Sequence, residues 1–118
     1  MGEVSVQERN EGPVTVVVLD GELDSVSAPA VQERLTELVE PHGRMLVDLT
    51  AVPYMSSAGL RTMLLLYRGA QAVGTSVGLV GLSPELAQMM EATGFLGYFA
   101  VHDTVDDGLA DLAPQEAS

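Results

Sequence analysis

The spacing of apolar and polar residues changes several times along this chain, and each change marks an element. Val4 and Val6 begin an alternating segment, Asn10-Glu11-Gly12-Pro13 is a dense turn signal, and Val14 to Leu19 is a run rich in β-branched residues. Together they predict an opening β-hairpin. From Ser27 the period becomes helical: Val31, Leu35, Leu38 and Val39 recur along one face, Ser27 stands at the N-cap position, Pro29 lies in the first turn, and Pro41 with Gly43 closes the segment. This predicts a helix from Ala28 to Glu40. Met45 to Leu49 is apolar but too short for a helix, and it reads as a buried strand.

The loop Ala51 to Ser56 leads into a second helix, predicted from Ser57 or Ala58 to Val73 and stopped by Gly74. Leu60, Met63, Leu64, Tyr67 and Ala70 form its core stripe, while Arg61, Arg68 and Gln71 face water. Ser76 to Val80 is a further buried strand. Ser83-Pro84-Glu85 opens a third helix with a serine N-cap, a first-turn proline and an acid near the positive helix end. Leu86, Met89 and Met90 lie on its core side, Gly94 stops it, and Phe95 is placed to fold back on it. Gly97 to Val101 is the last predicted strand and Thr104 to Leu112 a short acidic helix.

After the hairpin, strands and helices alternate, which predicts an α/β fold: one domain over residues 1–112, with a mixed, largely parallel sheet of four to five strands and about four helices. Residues 113–118 are expected to form a flexible tail. Right-handed crossovers set successive strands side by side, and binding sites in such sheets gather outside the carboxyl ends of the parallel strands. Two loops fall on that edge. One is Asp20-Gly21-Glu22-Leu23-Asp24; the other carries Ser56 and Ser57.

Composition narrows the function. A chain of 118 residues with 47% hydrophobic content supports one core, and with 4% aromatics that core must be built from Leu, Val, Met and Ala. The absence of cysteine removes disulfides and thiolate metal sites and fits a cytoplasmic protein. Seventeen acidic residues stand against five basic ones, all arginine, for a net charge of -12. That field repels nucleic acid and anionic lipid and favours partners with a basic surface. No signal peptide opens the sequence, and its apolar runs fall far short of the roughly 20 residues a membrane span needs.

Ser57, at the start of the second helix, is either a helix cap or an exposed hydroxyl open to phosphorylation. A phosphate there would add roughly -1.5 to -2 charges that the helix dipole tolerates and an acidic or tightly packed partner surface does not. Ser56 is a second cap or a rival acceptor. Gly59 in the first turn costs roughly 1 kcal/mol against alanine, which close packing or the approach of a partner's backbone must offset. Asp20, Glu22 and Asp24 are turn acids without the spacing of a metal site, and Asp48 reads as a turn or cap residue. His42 and His102 have no neighbouring nucleophile or second ligand and are expected to face solvent. Gly74, Gly78 and Gly81 do not form a dinucleotide or phosphate-loop fingerprint, so no cofactor is implied. A phosphate-receiver reading, with Asp48 as acceptor, lacks the lysine such a site needs.

Taken in order, Asp20-Gly21-Glu22-Leu23-Asp24, Val47-Asp48-Leu49-Thr50, Met55-Ser56-Ser57-Ala58-Gly59-Leu60-Arg61 and Gly94-Phe95 resemble the STAS family, within it the bacterial anti-sigma factor antagonists. The likeness runs from about Val4 to Asp111. It implies a regulatory binding module without catalytic activity that binds an anti-sigma factor with serine kinase activity and thereby frees a sigma factor. It further implies phosphorylation at the position of Ser57 and reactivation by a metal-dependent serine phosphatase. The partner surface implied by the resemblance comprises Glu22, Asp24, Ser56, Ser57, Gly59, Leu60 and Arg61. Many members carry an aspartate where this chain has Ser56, which leaves Ser56 as the rival acceptor. The alternative within the family is an unregulated scaffold or transport-associated domain.

Overall fold

The computed structural model describes residues 4–112. The predicted tail at 113–118 lies outside the described residues. Strand β1 (Ser5–Glu11) and strand β2 (Val14–Asp20) pair antiparallel from Ser5↔Asp20 to Glu11↔Val14. Gly12 supplies the positive φ (61°) that a two-residue hairpin requires at its first position. Helix α1 (Ala28–Leu38), strand β3 (Arg44–Ala51), helix α2 (Ser57–Ala72), strand β4 (Ser76–Val80), helix α3 (Pro84–Ala92), strand β5 (Ala100–His102) and helix α4 (Val105–Leu112) follow. The sheet order is β1-β2-β3-β4-β5, with every pair after the hairpin parallel. The expected mixed α/β sheet with four helices is therefore present.

Alternation along the strands divides the core between two faces of the sheet. Val17, Leu19, Met45, Val47, Leu49 and Leu79 pack with Val31, Leu35, Met63, Leu66, Leu86 and Met90 from α1, α2 and α3. Val14, Val16, Leu46 and Val80 face the other way, against Val105, Leu109 and Leu112 of α4. Because β2 and β3 are covered on both faces, they read as near-continuous apolar runs in the sequence.

Several boundaries and placements differ from expectation. Helix α1 ends at Leu38 instead of Glu40, since Pro41 disfavours helical geometry in the residue before it and Val39 is already extended (ψ 119°). Strand β3 outruns its apolar core at both ends because Arg44 pairs with Ser76 and Val14, and Ala51 with Asp20 across a bulge. The predicted strand Gly97–Val101 begins only at Ala100, because Phe95–Tyr98 winds into a 3-10 turn. Tyr67 holds that turn from α2, its ring centroid 5.1 Å from Tyr98 and 5.6 Å from Phe99. In α2 the buried positions are Gly59, Leu60, Thr62, Met63, Leu66 and Ala70, while Leu64 is half-exposed. His102 does not face solvent. Its ring lies under α4 with the side chain 15% exposed and Nε2 3.4 Å from Asp111. His42 is exposed, as expected, and Ser83 caps α3 by accepting the Leu86 N–H at 3.2 Å.

Candidate functional site

The two loops expected at the carboxyl edge of the sheet are bonded to one another by their backbones. The Gly21 N–H donates to the Ala51 carbonyl at 3.0 Å, the Leu23 N–H to the Tyr54 carbonyl at 3.0 Å, and the Ser56 N–H to the Leu23 carbonyl at 2.8 Å. Leu23 and Met55 form a single parallel β-bridge, and both side chains are fully buried. Burial of each contributes about 1.5–3 kcal/mol, so the junction is part of the core and not a loose contact. The acidic loop and the start of α2 are therefore packed as one unit.

Gly59 is the close-packing point of that junction. A Cβ at this position would lie 2.8 Å from the Leu23 carbonyl oxygen, 3.0 Å from Leu23 Cβ and 2.5 Å from Met55 Cγ. The offset for a helical glycine thus comes from packing within the chain itself. Leu60, 6% exposed, is also buried beneath the surface.

Ser57 is the first residue of α2 and is exposed; the N-cap position belongs to Ser56. Ser56 has the extended conformation of a cap (φ -82°, ψ 179°), yet its hydroxyl accepts no capping bond and its Oγ is buried without a partner. The two serines are therefore unequal in access. Ser57 presents its side chain to solvent, and Ser56 turns its hydroxyl inward.

On the acidic loop, Glu22 is exposed and Asp24 half-buried. Asp24 does the work expected of Ser27. Its Oδ1 accepts the Ser27 N–H at 3.0 Å and the Val26 N–H at 2.9 Å, fastening the turn into α1, whereas Ser27 makes no capping bond. The Ser27 hydroxyl instead donates to the Glu22 carbonyl at 2.8 Å and accepts the Asp24 N–H at 3.1 Å. The bonds that the carboxyl accepts hold Asp24 below the usual carboxylate range, the Ser27 backbone N–H contributing most and the Val26 N–H adding to it, against a smaller opposing effect of burial. Asp48 likewise serves its own turn, accepting the Thr50 N–H at 2.9 Å and the Thr50 hydroxyl at 2.6 Å.

Two residues that sequence reasoning passed over flank this edge. Val26, 76% exposed, and Tyr54, 52% exposed, are large apolar groups standing on the two joined loops. Their signal in the sequence was an apolar side chain inside a turn-rich segment, where burial is not the default. A cleft of about 240 Å³ between the first turns of α1 and α2 is lined by Ser25, Pro29, Gln32, Ala58 and Arg61, among others. Among the described residues no three acidic or histidine side chains converge to hold a metal, and no helix is long and apolar enough to cross a membrane.

The described residues thus form an α/β sheet whose carboxyl edge presents an exposed helix-start serine beside a fastened acidic loop. The chain belongs to the STAS domain family, which it matches over residues 5–108. It is 33% identical over 92 residues to the anti-sigma-B factor antagonist of Listeria monocytogenes, covering 77% of this chain and 80% of the relative. To the anti-sigma-B factor antagonist of Bacillus subtilis it is 32% identical over 87 residues, covering 74% and 79%. Among solved structures, an anti-sigma factor antagonist from Mycobacterium paratuberculosis superposes with a TM-score of 0.85 at 26% identity, covering 95% of this chain and 96% of that one.

Proposed function

We propose that this protein is an anti-sigma factor antagonist of the cytoplasm, a binding module and not a catalyst. In its unphosphorylated form it binds an anti-sigma factor that is also a serine kinase, and so releases a sigma factor. Phosphorylation of Ser57 ends the binding, and a metal-dependent serine phosphatase restores it. The relatives' shared role supports the binding activity. The observation that carries the switch is the exposure of Ser57 at the first position of α2, bonded through Ser56 to the acidic loop, while the rival hydroxyl is buried.

The surface for the partner is the joined edge: Glu22 and Asp24 supply negative charge, Val26 and Tyr54 exposed apolar area, and Ser57 and Arg61 the rim of α2. Ser56, Gly59 and Leu60 shape it from beneath. A dianionic phosphate at the centre of such a surface disrupts binding by desolvation cost and like-charge repulsion without any need to refold the domain. Incubation with the cognate kinase and ATP tests the reading. One phosphate should be incorporated into wild type and Ser56→Ala and none into Ser57→Ala; labelling of Ser57→Ala would move the acceptor to another residue.

A further inference from the structure

A phosphate on Ser57 enters an acidic neighbourhood, with Asp20, Glu22 and Asp24 on the loop bonded to Ser56 and a net charge of -12 on the chain. Four of the five arginines are placed elsewhere. Arg9 pairs with Glu11, and Arg34 with Glu8 and Glu37. Arg44 opens β3 at the opposite edge of the sheet, and Arg68 lies about three turns beyond Ser57 along α2. Arg61 is exposed, has no ion pair among the described residues, and follows Ser57 by four positions.

Helical side chains tilt toward the N-terminus, so the residue at i+4 covers the surface above residue i, with Cβ atoms about 5–6 Å apart. An unpaired arginine at this spacing is thus within reach of a group projecting from Ser57, and its planar fork suits phosphate oxygens. Taking Ser57 as the acceptor, a reading on which this inference rests, we propose that Arg61 is the intramolecular counterion of phosphorylated Ser57. It holds the phosphate against the first turns of α2, beside the mouth of the cleft that Arg61 lines. Among the described residues, Arg61 is also the one charged side chain lining the cleft between α1 and α2. Phosphorylation therefore changes that cleft as well as the charge at its rim, because its basic wall becomes occupied from within the chain.

The test uses protein with phosphoserine genetically encoded at position 57 and follows the phosphate by 31P NMR as pH is varied. Pairing favours the dianion, so the second phosphate pKa should lie at least about 0.3 unit lower in wild type than in Arg61→Gln at low salt. Arg61→Lys should recover part of the difference, Arg68→Gln should titrate like wild type, and added salt should shrink the gap. Superimposable titrations of wild type and Arg61→Gln, with circular dichroism showing both folded, would overturn the pairing. Since the phosphate is installed without a kinase, this result stands apart from the choice of acceptor, which the Ser57→Ala labelling decides.

Discussion

Replacing Gly59 with alanine adds one methyl group at the point where α2 meets the acidic loop. The new Cβ would sit 2.5 Å from Met55 Cγ, the movable part of a flexible side chain, but also 2.8 Å from the Leu23 carbonyl oxygen, which is backbone and accepts the Ser56 N–H. Helix propensity favours alanine by up to about 1 kcal/mol, whereas overpacking a closed site costs about 1–3 kcal/mol. With backbone as the clashing partner the second effect wins, for a net loss of up to about 2 kcal/mol and a fall in Tm of up to about 8 °C. Gly69 is the internal control. It lies in the same helix, is exposed, and a Cβ there meets nothing within 4 Å, so Gly69→Ala should gain up to about 1 kcal/mol from propensity alone. Urea unfolding followed by circular dichroism reads both, with unchanged m-values expected. If Gly59→Ala proves as stable as Gly69→Ala, the close approach of Leu23 does not constrain the helix and the account of the junction fails.

Three further outcomes follow from the same geometry. Ser57→Asp should weaken binding to the anti-sigma factor at least tenfold, about 1.4 kcal/mol, with Tm unchanged; equal affinities by calorimetry would refute the switch. Ser56→Ala should shift stability by less than about 0.5 kcal/mol, because its hydroxyl caps nothing, and a loss near the usual cap value of about 1 kcal/mol would show that it does. Asp24→Asn should lower Tm at neutral pH. The folded-state pKa of Asp24 is depressed, so its contribution is present above the unfolded value of about 3.9 and disappears as pH falls through the folded one. The Tm difference between mutant and wild type should therefore close as the solution is acidified below about pH 4, and a difference that persists unchanged through that range would rule out the carboxylate as its source.

Much of this protein is written in local pattern. The hairpin follows from the turn at Gly12-Pro13, β4 from a short apolar run whose last three residues are buried, and α3 from Ser83-Pro84 at one end and Gly94 at the other. The site's two loops could be placed on one edge because topology alone puts the carboxyl ends of parallel strands together. Local pattern misled where a distant residue decided the outcome. Gly97 to Val101 has strand character, yet Tyr67 from α2 packs tilted against Tyr98 and edge-on to Phe99, and the first part of it is wound into a turn. Leu64 and Leu66 are chemically alike, and only the packing of α2 against α1 and β4 selects Leu66 for the core. His102 is covered because α4 folds back over the sheet, which its own neighbours in sequence do not reveal.

At the site itself, sequence determined that a serine pair would begin a helix and that an acidic loop would share its edge, since caps, turns and strand order are short-range or topological properties. Only the tertiary structure decided that Ser57 is outward and Ser56 inward, that Asp24 and not Ser27 fastens the turn into α1, and that Gly59 is kept small by Leu23 of the same chain. Each of those depends on which atoms from remote segments meet within a few tenths of an ångström, and residue spacing along the chain does not encode distances of that kind.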